Sequence, residues 1–281
     1  MTFYAERYII TTLKFFCMGE FIMDDVEIYL NRLSVKGDIY AEIALKTNPD
    51  VTDADSLDAY LKNDGLNLNF KLYVSSESES NETVDEILAV FRKYDGNISC
   101  QVIKNEFLNL IDDDHHMLPQ AKPRCLVHRD GDLHPAVHVW IVMKKDMGVY
   151  VLLQKRSDKK KIHPECYDVS AAGHVPQSEE FRIAAVREAE EELGLKISEH
   201  DLDLLGFHKS SYSCGEICDN EIRAVYLYRK PIDDDQLVLQ ESEVESVCWA
   251  EIDELLAGMD DASFVNCIDR EELFMIKKSI Y

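Results

Sequence analysis

In the C-terminal half of the chain, apolar positions fall into short runs. Residues 136–143 (AVHVWIVM) and 149–154 are two of these, separated by Lys144 to Gly148. Their length and their β-branched and aromatic content predict two buried strands joined by a turn. Residues 202–207, 224–228 and 247–250 predict further strands, 251–256 opens a late helix, and 269–279 predicts another. One segment switches to helical period. Gly173 to Leu195 reads GHVPQSEEFRIAAVREAEEELGL, and Ile183, Ala184, Val186 and Leu193 form a stripe expected to face a core. Gly173 suits a tight turn before that helix, and Gly194 suits the position just past its end. Strands, one acidic helix, more strands and a closing helix predict an α/β fold over residues 124–281, a mixed sheet sandwiched between helices.

Residues 24–112 predict a separate, smaller α/β unit. Residues 27–33 and 38–45 alternate like strands around Gly37, and 68–74 and 98–103 read as two more. A short helix is expected at 56–62 after Asp53 or Asp55. A longer one is expected from Asn81 or Thr83 to Tyr94, burying Val84, Ile87, Leu88 and Phe91. Residues 75–81 are a polar loop, and Asp95-Gly96 ends the second helix. No catalytic spacing occurs here, so this unit reads as an accessory, regulatory or dimerisation module. Residues 113–123, acidic and carrying Pro119 and Pro123, read as a linker, in which His115 and His116 are expected to face solvent. Residues 1–23 read as an extension. Its apolar stretch 8–17 is interrupted by Lys14 and falls short of the ~20 residues of a membrane span. Met18 and Met23 are alternative starts.

Composition narrows the function classes. A chain of 281 residues with 46% hydrophobic content accommodates two packed domains. A net charge of −24 disfavours nucleic acid as a partner, although a bound cation could still reverse the local field for a small phosphorylated substrate. The eight cysteines are scattered, with neither zinc-ligand spacing nor a secreted disulfide pattern, consistent with reduced thiols in a cytoplasm.

Within the acidic helix, Glu188, Glu191 and Glu192 stand at i, i+3 and i+4 and are expected on one face. Like charges at that spacing cost about 0.2–0.5 kcal/mol per pair, unless they gather as oxygen ligands for a divalent cation. Lys155, Arg156, Lys159, Lys160 and Lys161 reverse the charge just upstream. Arg156 and Lys160 are the candidates for gripping a phosphorylated ligand, while Lys159 and Lys161 read as solvated. Glu241, Glu243 and Glu245, before Trp249, read by themselves as surface charge. Trp140, Tyr167 and Tyr212 read as core aromatics or as stacking surfaces for a base.

The segment resembles the signature of the Nudix hydrolases: Gly, five residues, Glu, seven residues, then Arg-Glu-apolar-x-Glu-Glu-x-Gly-apolar. Gly173, Glu179, Arg187, Glu188, Glu191, Glu192, Gly194 and Leu195 fall on it without a gap, and Ala189 is the one small residue at a position usually larger. The resemblance implies Mg²⁺, with Mn²⁺ as an alternative, held by Glu188, Glu191 and Glu192. It implies Arg187 paired with Glu179, hydrolysis of a small-molecule organic diphosphate, and a further carboxylate base in the region of Glu241, Glu243 and Glu245. Charge and the short apolar stretch make neither nucleic acid nor a membrane an expected partner, and a homodimer stays open beside a monomer. Residues 128–249 also resemble the isopentenyl diphosphate isomerase branch. That likeness implies a second metal site at His128, His134, His174, Asp219 and Glu221. The two early histidines stand one residue closer together than in the isomerase, and Asp219 replaces its glutamate. Ala172 stands where the isomerase has its catalytic cysteine, and Cys166 is no evident substitute, so hydrolysis is expected rather than isomerisation. A non-catalytic nucleotide or nucleotide-sugar sensor on the same fold is the alternative.

Overall fold

The computed structural model describes residues 27–31, 39–46, 66–74, 96–145, 148–177 and 179–280. The expected extension at 1–23, loop at 75–81 and helices at 56–62 and 81–94 lie outside them. The chain divides into two compact units, residues 1–107 with 121–125, and residues 108–120 with 126–281.

In the first unit, β1 (Glu27–Asn31), β2 (Ile39–Lys46), β3 (Leu66–Val74) and β4 (Gly96–Lys104) form a sheet in that order. Its β1–β2 and β2–β3 pairs are antiparallel and β3–β4 is parallel. Mostly within the second unit, the stretch 113–123, expected as a linker, instead carries the strand β6 (Met117–Pro123), which pairs with β5 (Phe107–Ile111). A short helix, α1 (Arg124–Asp130), follows directly, with Leu126, Val127 and His128 buried.

The second unit is built on β7 (Leu133–Lys145), whose residues Pro135 to Val142 are continuously buried. An unbroken apolar strand of this kind has to be covered on both faces and paired on both edges. β8 (Gly148–Arg156) pairs with it antiparallel, and β12 (Ile217–Tyr228) lies parallel on its other side. β11 (Leu202–Cys214) and β13 (Val244–Glu251) are the outer strands, giving the order β11-β12-β7-β8-β13. Two short strands, β9 (Tyr167–Asp168) and β10 (Ala171–His174), pair with β8 and β7 respectively.

Side chains alternate across this sheet, so each strand serves two cores. Val137, Val139, Ile141, Ala171, Ala224 and Tyr226 pack under α2 (Phe181–Leu193). Trp140, Val142, Val225 and Leu227 pack on the other face with Leu255 of α3 (Ile252–Gly258) and Leu273 and Ile276 of α4 (Arg270–Ile280). The mixed sheet between helices is the expected α/β architecture. Among the described residues no helix is long and apolar enough to cross a membrane.

The stripe of α2 differs from the expected one. Ala184, Ala185, Ala189 and Leu193 are buried, whereas Ile183 is 45% exposed. Methyl-sized side chains let the helix lie close to β10, and this close approach turns Glu188 and Glu192 inward beside Ala185 and Ala189. The helix ends at Gly194 (φ 67), whose N–H reaches Glu190 O while Leu195 N–H reaches Ala189 O. A Cβ there would stand 2.8 Å from Val238 Cβ, so both the backbone angle and the packing require glycine.

Candidate active site and metal centres

The three glutamates of α2 do not share one environment. Glu192 is 3% exposed, and its Oε2 accepts hydrogen bonds from Ala172 N (3.0 Å) and Gln154 Nε2 (3.1 Å). Burial and the adjacent Glu188 charge push its carboxyl up to about 8, against the lowering effect of the Ala172 N–H and Lys160. Glu188 lies under Gly173, where a Cβ would fall on its carboxylate. Glu191 is half exposed, because i+3 and i+4 point in directions about 100° apart. Arg187 ties the cluster together. Its Nε and Nη2 donate to Glu179 (3.2 and 3.0 Å to Oε2), its Nη1 to Glu188 (2.7 Å) and Glu191 (2.9 Å), and its Nη2 also to His174 O (3.2 Å). Burial works against the guanidinium's charge, but the Glu179 and Glu188 partners prevail and raise its pKa further.

The basic stretch divides as well. Arg156 ends β8, but its guanidinium donates to Asp168 (2.9 Å) and to the carbonyls of Ile162 and His163 (3.2 Å each). Those bonds hold a loop in which His163 (φ 50) and Glu165 (φ 59) are left-handed. Lys160 pairs with Glu243, and Lys155 with Glu245 (2.9 Å). Of the aromatic candidates, Trp140 is fully buried, Tyr167 stacks on Phe264, and Tyr212 packs on His163 with ring centroids 4.4 Å apart. Cys166 is buried, and burial pushes its thiol pKa up.

On the opposite face of the sheet lies a histidine centre. His128 comes from α1, His134 from β7, His174 from β10 and Asp219 from β12, and one ligand atom from each lies within 4.8 Å of all the others. The three rings are almost equidistant, with centroids 5.1, 5.2 and 5.1 Å apart. Asp219 Oδ1 is 3.2 Å from His134 Nε2 and 3.6 Å from His128 Nε2. Glu221 Oε1 is 3.4 Å from His174 Nε2. A tetrahedral cation with bonds near ~2.1 Å places neighbouring ligands roughly 3.4 Å apart, so these side chains fit one with little movement. His134 Nδ1 lies 2.9 Å from Asp132 O, which fixes the N–H there and turns the Nε2 lone pair inward.

Behind this centre lies a polar network with no local signature in the sequence. Arg223 Nε donates to Glu221 Oε2 (2.7 Å) and its Nη1 is 3.8 Å from Glu272 Oε1. Glu272, fully buried on α4, accepts from Trp140 Nε1 (2.7 Å) and lies 2.9 Å from His138 Nδ1. Burial opposes ionisation of Glu221, but Arg223 and the neighbouring histidines hold its carboxyl well below the usual range. A glutamate in the last helix carries no local signal of this role. Polar His138 within an apolar strand was the one hint, since a buried imidazole needs a partner.

β10 joins the two centres. Gly173 faces Glu188 on the α2 side, while the next residue, His174, enters the histidine centre on the other.

Residues 132–268 match the NUDIX domain. The chain is 31% identical over 159 residues to an uncharacterised Nudix hydrolase of Clostridium acetobutylicum, covering 57% of this chain and 76% of that protein. It is 33% identical over 150 residues to another from Listeria monocytogenes, covering 53% and 82%. Nudix hydrolase 3 of Arabidopsis thaliana is 38% identical over 138 residues, which are 48% of this chain and 18% of that longer protein. This chain belongs to the Nudix hydrolase family, whose members generally use a divalent metal.

Proposed function

We propose that this protein is a Mg²⁺-dependent hydrolase of an organic diphosphate, with Glu188, Glu191 and Glu192 as the cation ligands. The observation that carries this reading is Glu192, a carboxylate buried at a cost beside Glu188 and already oriented by two hydrogen bonds. A repulsive buried pair is destabilising by itself and becomes favourable when a cation binds between its members. The Gly173 notch, which receives the Glu188 carboxylate, supports the same fit.

When bound, Mg²⁺ would neutralise phosphoryl oxygens and lower the pKa of water at neutral pH. Hydrolysis forms one P–O bond from water and breaks the bridging P–O bond. The water proton passes to a carboxylate of the cluster, and the leaving phosphate takes the bridging oxygen. Arg187 holds Glu179, Glu188 and Glu191 in register and so acts as a positioning residue. Lys160, near Glu192 and paired with Glu243, can exchange that carboxylate for a substrate phosphoryl group. Arg156 supports the site by holding the His163 loop. The histidine centre would take a second cation, and its imidazole-rich donor set suits Zn²⁺ better than Mg²⁺ or Mn²⁺. The methyl group of Ala172 cannot carry a proton to or from carbon, which argues against isomerase chemistry.

The test is formation of phosphomonoester products, read as inorganic phosphate after treatment with a phosphatase, from nucleotide sugars, dinucleotides, coenzyme A and isopentenyl diphosphate with Mg²⁺ or Mn²⁺, comparing wild type with Glu188→Gln. Turnover lost in the variant is expected. Ligand-induced thermal stabilisation without turnover by the wild type would replace this reading with the sensor.

A further inference from the structure

Gln154 is one of the two donors to Glu192, and its amide has a second polar atom that this contact leaves unused. It lies on β8 among the aliphatic residues Val151, Leu152 and Leu153, and it is 1% exposed. Its Nε2 donates to Glu192 Oε2 at 3.1 Å, while its Oε1 is buried with no hydrogen-bond partner. Leaving a buried carbonyl unpaired costs about 1–3 kcal/mol, and a leucine or methionine would fill the same place without that cost. Reversing the amide would set its oxygen against the Glu192 carboxylate, which repels it when ionised. The orientation with N–H toward Glu192 and oxygen beyond it therefore belongs to the ionised, cation-ready site. Both hydrogen bonds to Glu192 end on Oε2, so Oε1 is the oxygen presented to a cation.

Resting on the cation-site reading of the preceding section, we propose that Gln154 is a positioning residue of that site and its neutral oxygen donor. Its N–H orients Glu192, and its Oε1 supplies a lone pair to the hydrated divalent cation. The chemistry favours an amide at this point. Mg²⁺ and Mn²⁺ accept oxygen ligands of any charge, and Mg²⁺ commonly uses one or two carboxylates with waters completing its shell. Glu188 and Glu192 already repel one another, and a further buried carboxylate would add to that. An amide oxygen adds a donor without adding charge.

The experiment titrates the full-length protein with Mn²⁺, followed by water-proton relaxation, for wild type, Gln154→Met and Gln154→Glu, alongside urea unfolding in EDTA. Gln154→Met should bind Mn²⁺ about 10–100-fold more weakly, while its metal-free stability is equal to or above wild type because the orphaned carbonyl is gone. Gln154→Glu keeps an oxygen and should bind Mn²⁺ more tightly than Gln154→Met. Unchanged Mn²⁺ affinity in Gln154→Met, or Gln154→Glu binding more weakly than Gln154→Met, would overturn the inference. A wild type that binds Mn²⁺ but hydrolyses no diphosphate fails the proposed function alone. Unchanged Mn²⁺ affinity in Gln154→Met alongside intact hydrolysis fails this inference alone.

Discussion

Replacing Glu192 by glutamine should make the metal-free protein more stable while removing its activity. In the unfolded chain this carboxyl titrates at its ordinary 4.5, and in the native state burial and Glu188 hold it near 8. Between those values the unfolded chain has released a proton that the native state retains. The group's contribution is therefore fully present below pH 4.5 and is lost as pH rises toward 8. At about 1.4 kcal/mol per pH unit, the interval from 4.5 to pH 7 corresponds to on the order of 3 kcal/mol. Glutamine has the same shape and never ionises, and its carbonyl can take the place of Oε2, where both native hydrogen bonds end. Urea unfolding in EDTA should show no difference near pH 4.5 and a growing advantage for Glu192→Gln toward neutrality. Saturating Mg²⁺ should reverse the order, because the cation binds only the native wild type. Parallel pH profiles, or a variant less stable than wild type at neutral pH without metal, would refute the reasoning.

Four other outcomes follow from the geometry. Gly173→Ala should fold normally, since the glycine lies in an ordinary strand. It should still lose on the order of 10²-fold in kcat as its methyl displaces Glu188, measured by turnover with circular dichroism as the folding control. Co²⁺ titration should give the visible spectrum of a low-coordinate imidazole site that His134→Asn abolishes; a spectrum unchanged by the substitution would place that ion elsewhere. Glu272→Leu leaves His138 and Trp140 facing a position that no longer accepts and takes one carboxylate from Arg223, which keeps Glu221, and should cost about 3–5 kcal/mol in urea unfolding; a loss below about 1 kcal/mol would contradict the contact network. The Asp269 contact raises the His208 pKa above 6.5, with burial opposing it, so its contribution is fully present below 6.5 and is lost as pH rises through the raised value. Asp269→Asn should remove that part of the stability profile.

Local spacing carried much of the fold. The apolar runs of β7 and β8, the period of α2 and its glycine stop are set by neighbours a few residues apart, and these can be read directly from the chain. The length of α2 was legible, but its orientation was not. Ile183 and Ala185 stand about 200° apart on a helical wheel, and only packing against the sheet selects the face with the methyl groups over the face with the larger side chain. That same rotation separates Glu192 from Glu191, which spacing alone treats as equivalent.

The histidine centre was only half legible. His128, His134, His174 and Asp219 can be nominated from the chain, but they come from four separate elements, and their convergence depends on the parallel register of β12 against β7. Glu272, Gln154 and the role of Arg156 were not legible at all. Each is an ordinary polar residue whose meaning comes from what packing leaves beside it: a buried imidazole, a buried carboxylate, a left-handed loop. The sequence by itself determined the secondary elements and the residue types available for cation chemistry, because periodicity and donor identity are local properties. Only the tertiary structure decided which carboxylate is desolvated and that Gly173 and His174 serve opposite faces of one sheet. Burial and electrostatic pairing depend on elements remote in the chain being brought within a few ångströms.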